Sequence, residues 1–121
     1  MTKRILVVED QEDNRQILRD LLGSVGHEMI EAHDGEAAVA QATKHRPDLI
    51  LMDIQLPVMD GYEATRRIKA NPELRAIPII MVTSYALSGD EEKARASGCD
   101  AYVTKPYSPR QLLVKIKEFL K

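Results

Sequence analysis

The chain has a single cysteine, Cys99, so no internal disulfide can form, and the sequence reads as one for a reducing, cytosolic compartment. Between Gly98 and Asp100, just ahead of an apolar run, Cys99 reads as a small half-buried residue with no redox role. There is no basic excess either: 17 Lys and Arg stand against 19 Asp and Glu, a formal net charge of -2. Such a surface has nothing with which to grip a nucleic-acid backbone. No apolar stretch approaches the roughly 20 residues of a membrane span. Lys3-Arg4 is followed only by Ile5 to Val8 before Glu9, which excludes a secretory signal. Repeats, low-complexity tracts and interdomain linkers are missing too, so residues 1–121 read as one domain with its own core. The segment after Val8 has no glycine, serine or threonine to cradle a cofactor phosphate.

What is present is an alternation of apolar runs with segments of helical period, the signature of βα units. Strands are expected near 4–8, 28–32, 49–53, 78–83 and 101–104, and helices near 13–24, 36–45, 62–70, 88–97 and 109–120. Ile17, Leu18, Leu21, Leu22 and Val25 form a stripe on the first helix against Arg15, Gln16, Arg19 and Asp20. Leu112, Leu113, Ile116 and Leu120 do the same on the last. Ser108-Pro109-Arg110-Gln111 supplies a cap, an N1 proline and a box-closing glutamine in order. Asp60-Gly61-Tyr62-Glu63 and Ser88-Gly89-Asp90-Glu91 repeat the cap-plus-acid logic, while Gly26 and Gly98 read as helix stops. Runs 49–53 and 78–83 are almost wholly apolar, as burial on both faces of a parallel sheet requires. The more polar 28–32 run is expected at an edge. The fold class is α/β, a five-stranded parallel sheet between helical layers with right-handed crossovers.

Polar residues close the apolar runs. Glu9 and Asp10 end the first, Asp53 ends the third, Thr83 ends the fourth and Lys105 follows the fifth. A parallel sheet delivers all of these to one edge, where such sheets bind ligands. Three carboxylates in one cleft repel one another and need a cation. Oxygen-only ligation suits Mg²⁺, with Mn²⁺ able to substitute. Asp53 is the expected phosphorylation site, since a metal and the Lys105 ammonium would neutralise the incoming phosphoryl oxygens. Glu9 and Asp10 hold the metal from one side, Glu9 partly through water. Thr83 offers a hydroxyl to a phosphoryl oxygen, although alone it is equally an ordinary strand threonine. A cis peptide before Pro106, which proline tolerates cheaply, would aim Lys105 into the cleft.

The segments Ile5-Leu6-Val7-Val8-Glu9-Asp10, Pro47 to Gly61, Thr83-Ser84 and Lys105-Pro106 together resemble the receiver domains of bacterial two-component response regulators. The resemblance covers practically the whole chain. Within the family it looks like the single-domain DivK type, notably in Asp53-Ile54-Gln55-Leu56-Pro57. It implies a flavodoxin-like (βα)5 three-layer sandwich with strand order 2-1-3-4-5. It implies Asp53 as phosphoacceptor, and Asp10, Asp53 and the Gln55 carbonyl as Mg²⁺ ligands with Glu9 acting through water. Lys105 would pair with the phosphoryl group and Thr83 bond it, with Tyr102 as the aromatic switch; a simply buried aromatic is the alternative for Tyr102. Gln55 and Tyr85 would flank the path of hydrolytic water, and a bulky Tyr85 would prolong the signal. Glu9-Asp10 stands where many receivers carry two aspartates, which bears on metal affinity.

The resemblance further implies phosphorelay signalling in the cytoplasm. A histidine kinase or histidine phosphotransfer protein would donate to Asp53 at a mouth formed by Asp10, Asp53, Pro57 and the first helix. The protein would be a phosphorylation substrate that slowly dephosphorylates itself, not a turnover enzyme. Helix 88–97, with its thin apolar side of Leu87, Ala94 and Ala96, would shift. The 88–120 face would then meet a downstream protein or a second copy, giving a monomer or weak dimer. A stand-alone regulator is expected because the last helix ends with the chain; a fragment of a larger regulator and a phosphorylation-independent docking module are the alternatives. A flavin module lacks its phosphate loop here. A haloacid-type phosphatase would need an acid where Gln55 stands.

Overall fold

A computed structural model of the chain describes residues 3–83, 90–104 and 108–120. Strands β1 (Arg4–Val8), β2 (Glu28–Ala32), β3 (Leu49–Asp53), β4 (Ile79–Thr83) and β5 (Ala101–Thr104) alternate with helices. These are α1 (Glu12–Ser24), α2 (Gly35–His45), α3 (Gly61–Ala70), α4 (Asp90–Ala96) and α5 (Pro109–Phe119). The strands form one parallel sheet in the order β2-β1-β3-β4-β5. The expected architecture and strand order are therefore found, with the polar 28–32 strand at an edge.

Alternation along the strands builds two cores. Leu6, Val8, Ile50, Met52, Ile79 and Met81 face one way, against Ala38 and Ala42 of α2, Ala64 and Ile68 of α3, and Ala94 of α4. Ile5, Val7, Leu49, Leu51 and Ile80 face the other way, against Leu18 and Leu22 of α1 and Leu112 and Ile116 of α5. All five residues of β3 and of β4 are buried, which explains their lack of apolar-polar alternation. Each fully buried Leu or Ile contributes about 1.5–3 kcal/mol. The central strands are thus the most firmly anchored part of the sheet.

The helix ends follow the expected chemistry. The Asp60 side chain accepts from Glu63 N at 2.9 Å and Ser108 from Gln111 N at 3.4 Å. Gly26 and Gly98 close α1 and α4 with φ of 83° and 100°. Asp34 also caps α2, accepting from Ala37 N at 2.7 Å, a cap beyond those expected. Residues 88 and 89, and with them the Ser88 cap, lie outside the described residues.

Several details differ from the expectations. The fourth strand begins at Ile79 because Pro78 has no N–H for the ladder, although its carbonyl accepts from Ile50 N. Ile17 and Val25 are 57% and 47% exposed. Leu18 and Leu22, one turn apart, take the contact with the sheet, and Ile17 is turned about 100° away from Leu18. Val25 already lies at the C-cap. On α4, Ala94 is buried but Ala96 is exposed, and buried Ser97 takes its place, donating its hydroxyl to the Ala94 carbonyl. Cys99 is half-buried, and burial pushes its thiol pKa up.

Candidate metal and phosphoryl site

Strand register sets the site. Val8 pairs with Met52, so the next residues, Glu9 and Asp53, leave β1 and β3 at the same level. Single carboxylate oxygens of Glu9, Asp10 and Asp53 all lie within 4.8 Å of one another. Glu9 is 4% exposed and Asp53 8%, whereas Asp10 is exposed. Carboxylates gathered this closely favour a positive ion between them. The donor set is all oxygen, and open access at Asp10 leaves room for waters, which fits a hard divalent cation such as Mg²⁺.

Backbone contacts hold Glu9 and Asp53 in place. Glu9 N donates to Ala32 O of β2 at 3.0 Å, and the Glu9 carboxylate accepts from Gln11 N at 3.2 Å. Asp53 Oδ1 accepts from Gln55 N at 3.4 Å. The loop after Asp53 returns because Gly61 N donates to Ile54 O at 2.9 Å. A Cβ on Gly61 would stand 2.2 Å from the Asp53 carbonyl, so only glycine lets α3 start this close to the site. Exposed Val58, with φ of 69°, lies in the same loop.

Thr83 is 2% exposed at the end of β4. Met81 pairs with Tyr102 in register, so Thr83 and Tyr102 lie on the same face of adjacent strands, two positions apart. Tyr102 is half-buried against the core that contains Met81 and Ala94. Gln55 is exposed, with its backbone N–H turned to Asp53. Tyr85, Lys105 and Pro106 lie outside the described residues.

Arg15, on the polar face of α1 by its helical period, has a side chain that is only 12% exposed. Its guanidinium donates to Glu9 O at 2.8 Å, to Glu31 Oε1 at 3.1 Å and to Glu12 Oε2. The Glu12–Arg15 spacing was visible in the sequence; the reach to Glu31 on β2 was not. Arg15 beside Glu12 holds that carboxyl below its usual pKa, and Glu31 beside Arg19 raises the guanidinium.

A family model for the response regulator receiver domain matches residues 5–117. The chain belongs to this family. The polar-differentiation response regulator DivK of Brucella ovis is 48% identical over 120 residues, covering 99% of this chain and 98% of the Brucella protein. Among solved structures, the receiver domain of a sensor histidine kinase of Pseudomonas aeruginosa, with a magnesium ion coordinated in its active-site cleft, is 38% identical. It superposes with a TM-score of 0.92 over 99% of this chain and 98% of that one. The chemotaxis response regulator CheY4 of Vibrio cholerae is 30% identical, with a TM-score of 0.92 over 99% and 100% of the two chains. The receiver is thus a DivK-like phosphorelay signalling domain and not a conventional enzyme. Among the described residues, no helix is long and apolar enough to cross a membrane.

Proposed function

We propose that this receiver takes a phosphoryl group onto Asp53 from a phosphohistidine of a sensor kinase or histidine phosphotransfer protein. The observation that carries the reading is the gathering of Glu9, Asp10 and Asp53 oxygens within 4.8 Å at the strand ends. Glu9, Asp10, Asp53 and the Gln55 carbonyl would hold Mg²⁺, or Mn²⁺ in its place, with Glu9 acting through water. The ion, when bound, supplies positive charge that offsets the phosphoryl oxygens. An Asp53 oxygen attacks phosphorus, the bond to the donor imidazole nitrogen breaks, and an acyl phosphate results. Lys105 adds its charge to the same oxygens.

Thr83 then closes on the phosphoryl group and Tyr102 moves toward the space vacated, a shift between two packings that the new charge biases. Their shared face on β4 and β5 supports that coupling. The 88–120 face carries the change to a downstream protein, with the receiver as a monomer or weak dimer in the cytoplasm. The receiver domain of residues 1–121 slowly dephosphorylates itself. Tyr85, with Gln55, slows water attack, so Tyr85→Ala shortens the life of the acyl phosphate. Incubation with acetyl phosphate or phosphoramidate and Mg²⁺ should add the mass of one phosphoryl group, and Asp53→Asn should abolish it. No adduct on the parent protein would refute the reading.

A further inference from the structure

We propose that Arg15 is a positioning residue for the metal: it presets the peptide that joins Glu9 to Asp10. This rests on the Mg²⁺ reading above. The oxygen that Arg15 Nη1 contacts at 2.8 Å is the carbonyl of that peptide. Because a peptide is planar, fixing its carbonyl fixes the plane that holds both Cα atoms, the points from which the two acid side chains depart. The other side of Glu9 is held as well, by its N–H on Ala32 O at 3.0 Å. Arg15 is itself anchored to β2, through Nε on Glu31 Oε1 at 3.1 Å. Glu31 is fixed in turn by Arg19 Nη2 at 2.6 Å and, at its carbonyl, by Gln41 Nε2 at 3.1 Å. The result is a strap from β2 through Arg15 to the Glu9–Asp10 peptide. Here separate atoms of the planar fork make the two contacts, Nη1 on the carbonyl and Nε on the carboxylate, and the single nitrogen of a lysine does not reproduce that spacing.

Charge and geometry make opposite predictions at this position. A guanidinium near a cation site repels the cation, so on electrostatic grounds alone Arg15→Gln tightens Mg²⁺ binding. If Arg15 positions the ligands, the same substitution weakens it, by about tenfold, the usual cost of losing a group that orients a metal ligand. Arg15→Lys keeps the charge and loses the fork, and it should weaken binding too. Glu31→Gln loosens the anchor and should weaken it by less.

The test is calorimetric titration of the full chain with MgCl₂ at fixed ionic strength, beside thermal melts without metal. Arg66→Gln, at an exposed helix pair with Glu63, serves as the unaffected control. Weaker binding by both Arg15 variants, relative to the parent, supports the strap. If Arg15→Gln does not fold, Arg15→Lys and Glu31→Gln decide in its place. Parent-like or tighter binding by the folded variants overturns the proposal and leaves the Mg²⁺ site intact. A parent protein that binds no Mg²⁺ overturns the metal reading first, and the strap with it.

Discussion

The two ends of the sheet treat charge in opposite ways. At the end where the strands begin, every prominent acid meets a donor. Asp100 Oδ2 accepts from Lys69 Nζ and from Ile79 N, each at 2.8 Å. Lys69 Nζ also donates to the carbonyls of Arg75 and Ile77 at 3.0 and 2.9 Å. Asp48 Oδ2 accepts from Arg4 N at 2.8 Å. At the end where the strands finish, Glu9, Asp10 and Asp53 lie acid against acid, two of them buried. One end uses charge to fasten loops and strands; the other gathers three carboxylates where a ligand belongs. Strained, like-charged arrangements collect at functional sites because stability is not their purpose.

Substitutions should separate the two ends. The largest effect is expected for Asp53→Asn, which removes the phosphoryl adduct completely in intact-protein mass spectrometry while leaving the fold in place. Asp100→Ala at the opposite end should do the reverse. Ile79 N–H loses its charged acceptor and the Lys69 ammonium one of three, so denaturant unfolding should reveal a loss of about 1.5–3 kcal/mol with phosphorylation retained. Gly61→Ala lies between the two. Its Cβ would meet the Asp53 carbonyl at 2.2 Å, and such overpacking costs about 1–3 kcal/mol in the same unfolding measurement. Asp34→Ala removes a helix cap away from both ends and should cost about 1 kcal/mol. Smallest of all, Cys99 beside Asp100 should alkylate more slowly than a free thiol at mildly alkaline pH. Burial first, and the Asp100 charge second, raise its pKa and keep the thiolate scarce.

The sheet was legible in the sequence because buried parallel strands leave continuous apolar runs, and Leu49–Asp53 and Ile79–Thr83 are such runs. The acids were legible for a related reason: a polar residue at the end of an apolar run must sit at the sheet edge. Arg15 was not, because helical periodicity assigns it to the polar face. Whether a polar side chain stays in solvent or folds back depends on what the neighbouring strand presents, here Glu31 through the β1–β2 register. Ile17 failed for the converse reason. Its apolar character placed it in the stripe, but the sheet below has room for Leu18 and Leu22 and leaves Ile17 in solvent. Asp34 could have been read as a cap from the Gly35-Glu36 that follows it.

The finishing end of the sheet gives up stability to hold a cation. Thermal unfolding of the parent and of Asp53→Asn, each with and without Mg²⁺, tests it most directly. Without metal, relief of the carboxylate crowding should make Asp53→Asn the more stable of the two. With free Mg²⁺ at about one hundred times its Kd, the parent should gain about 2.7 kcal/mol and the order should reverse. A parent whose Tm does not move with Mg²⁺, or moves no more than that of Asp53→Asn, would show that these carboxylates are not gathered for a cation.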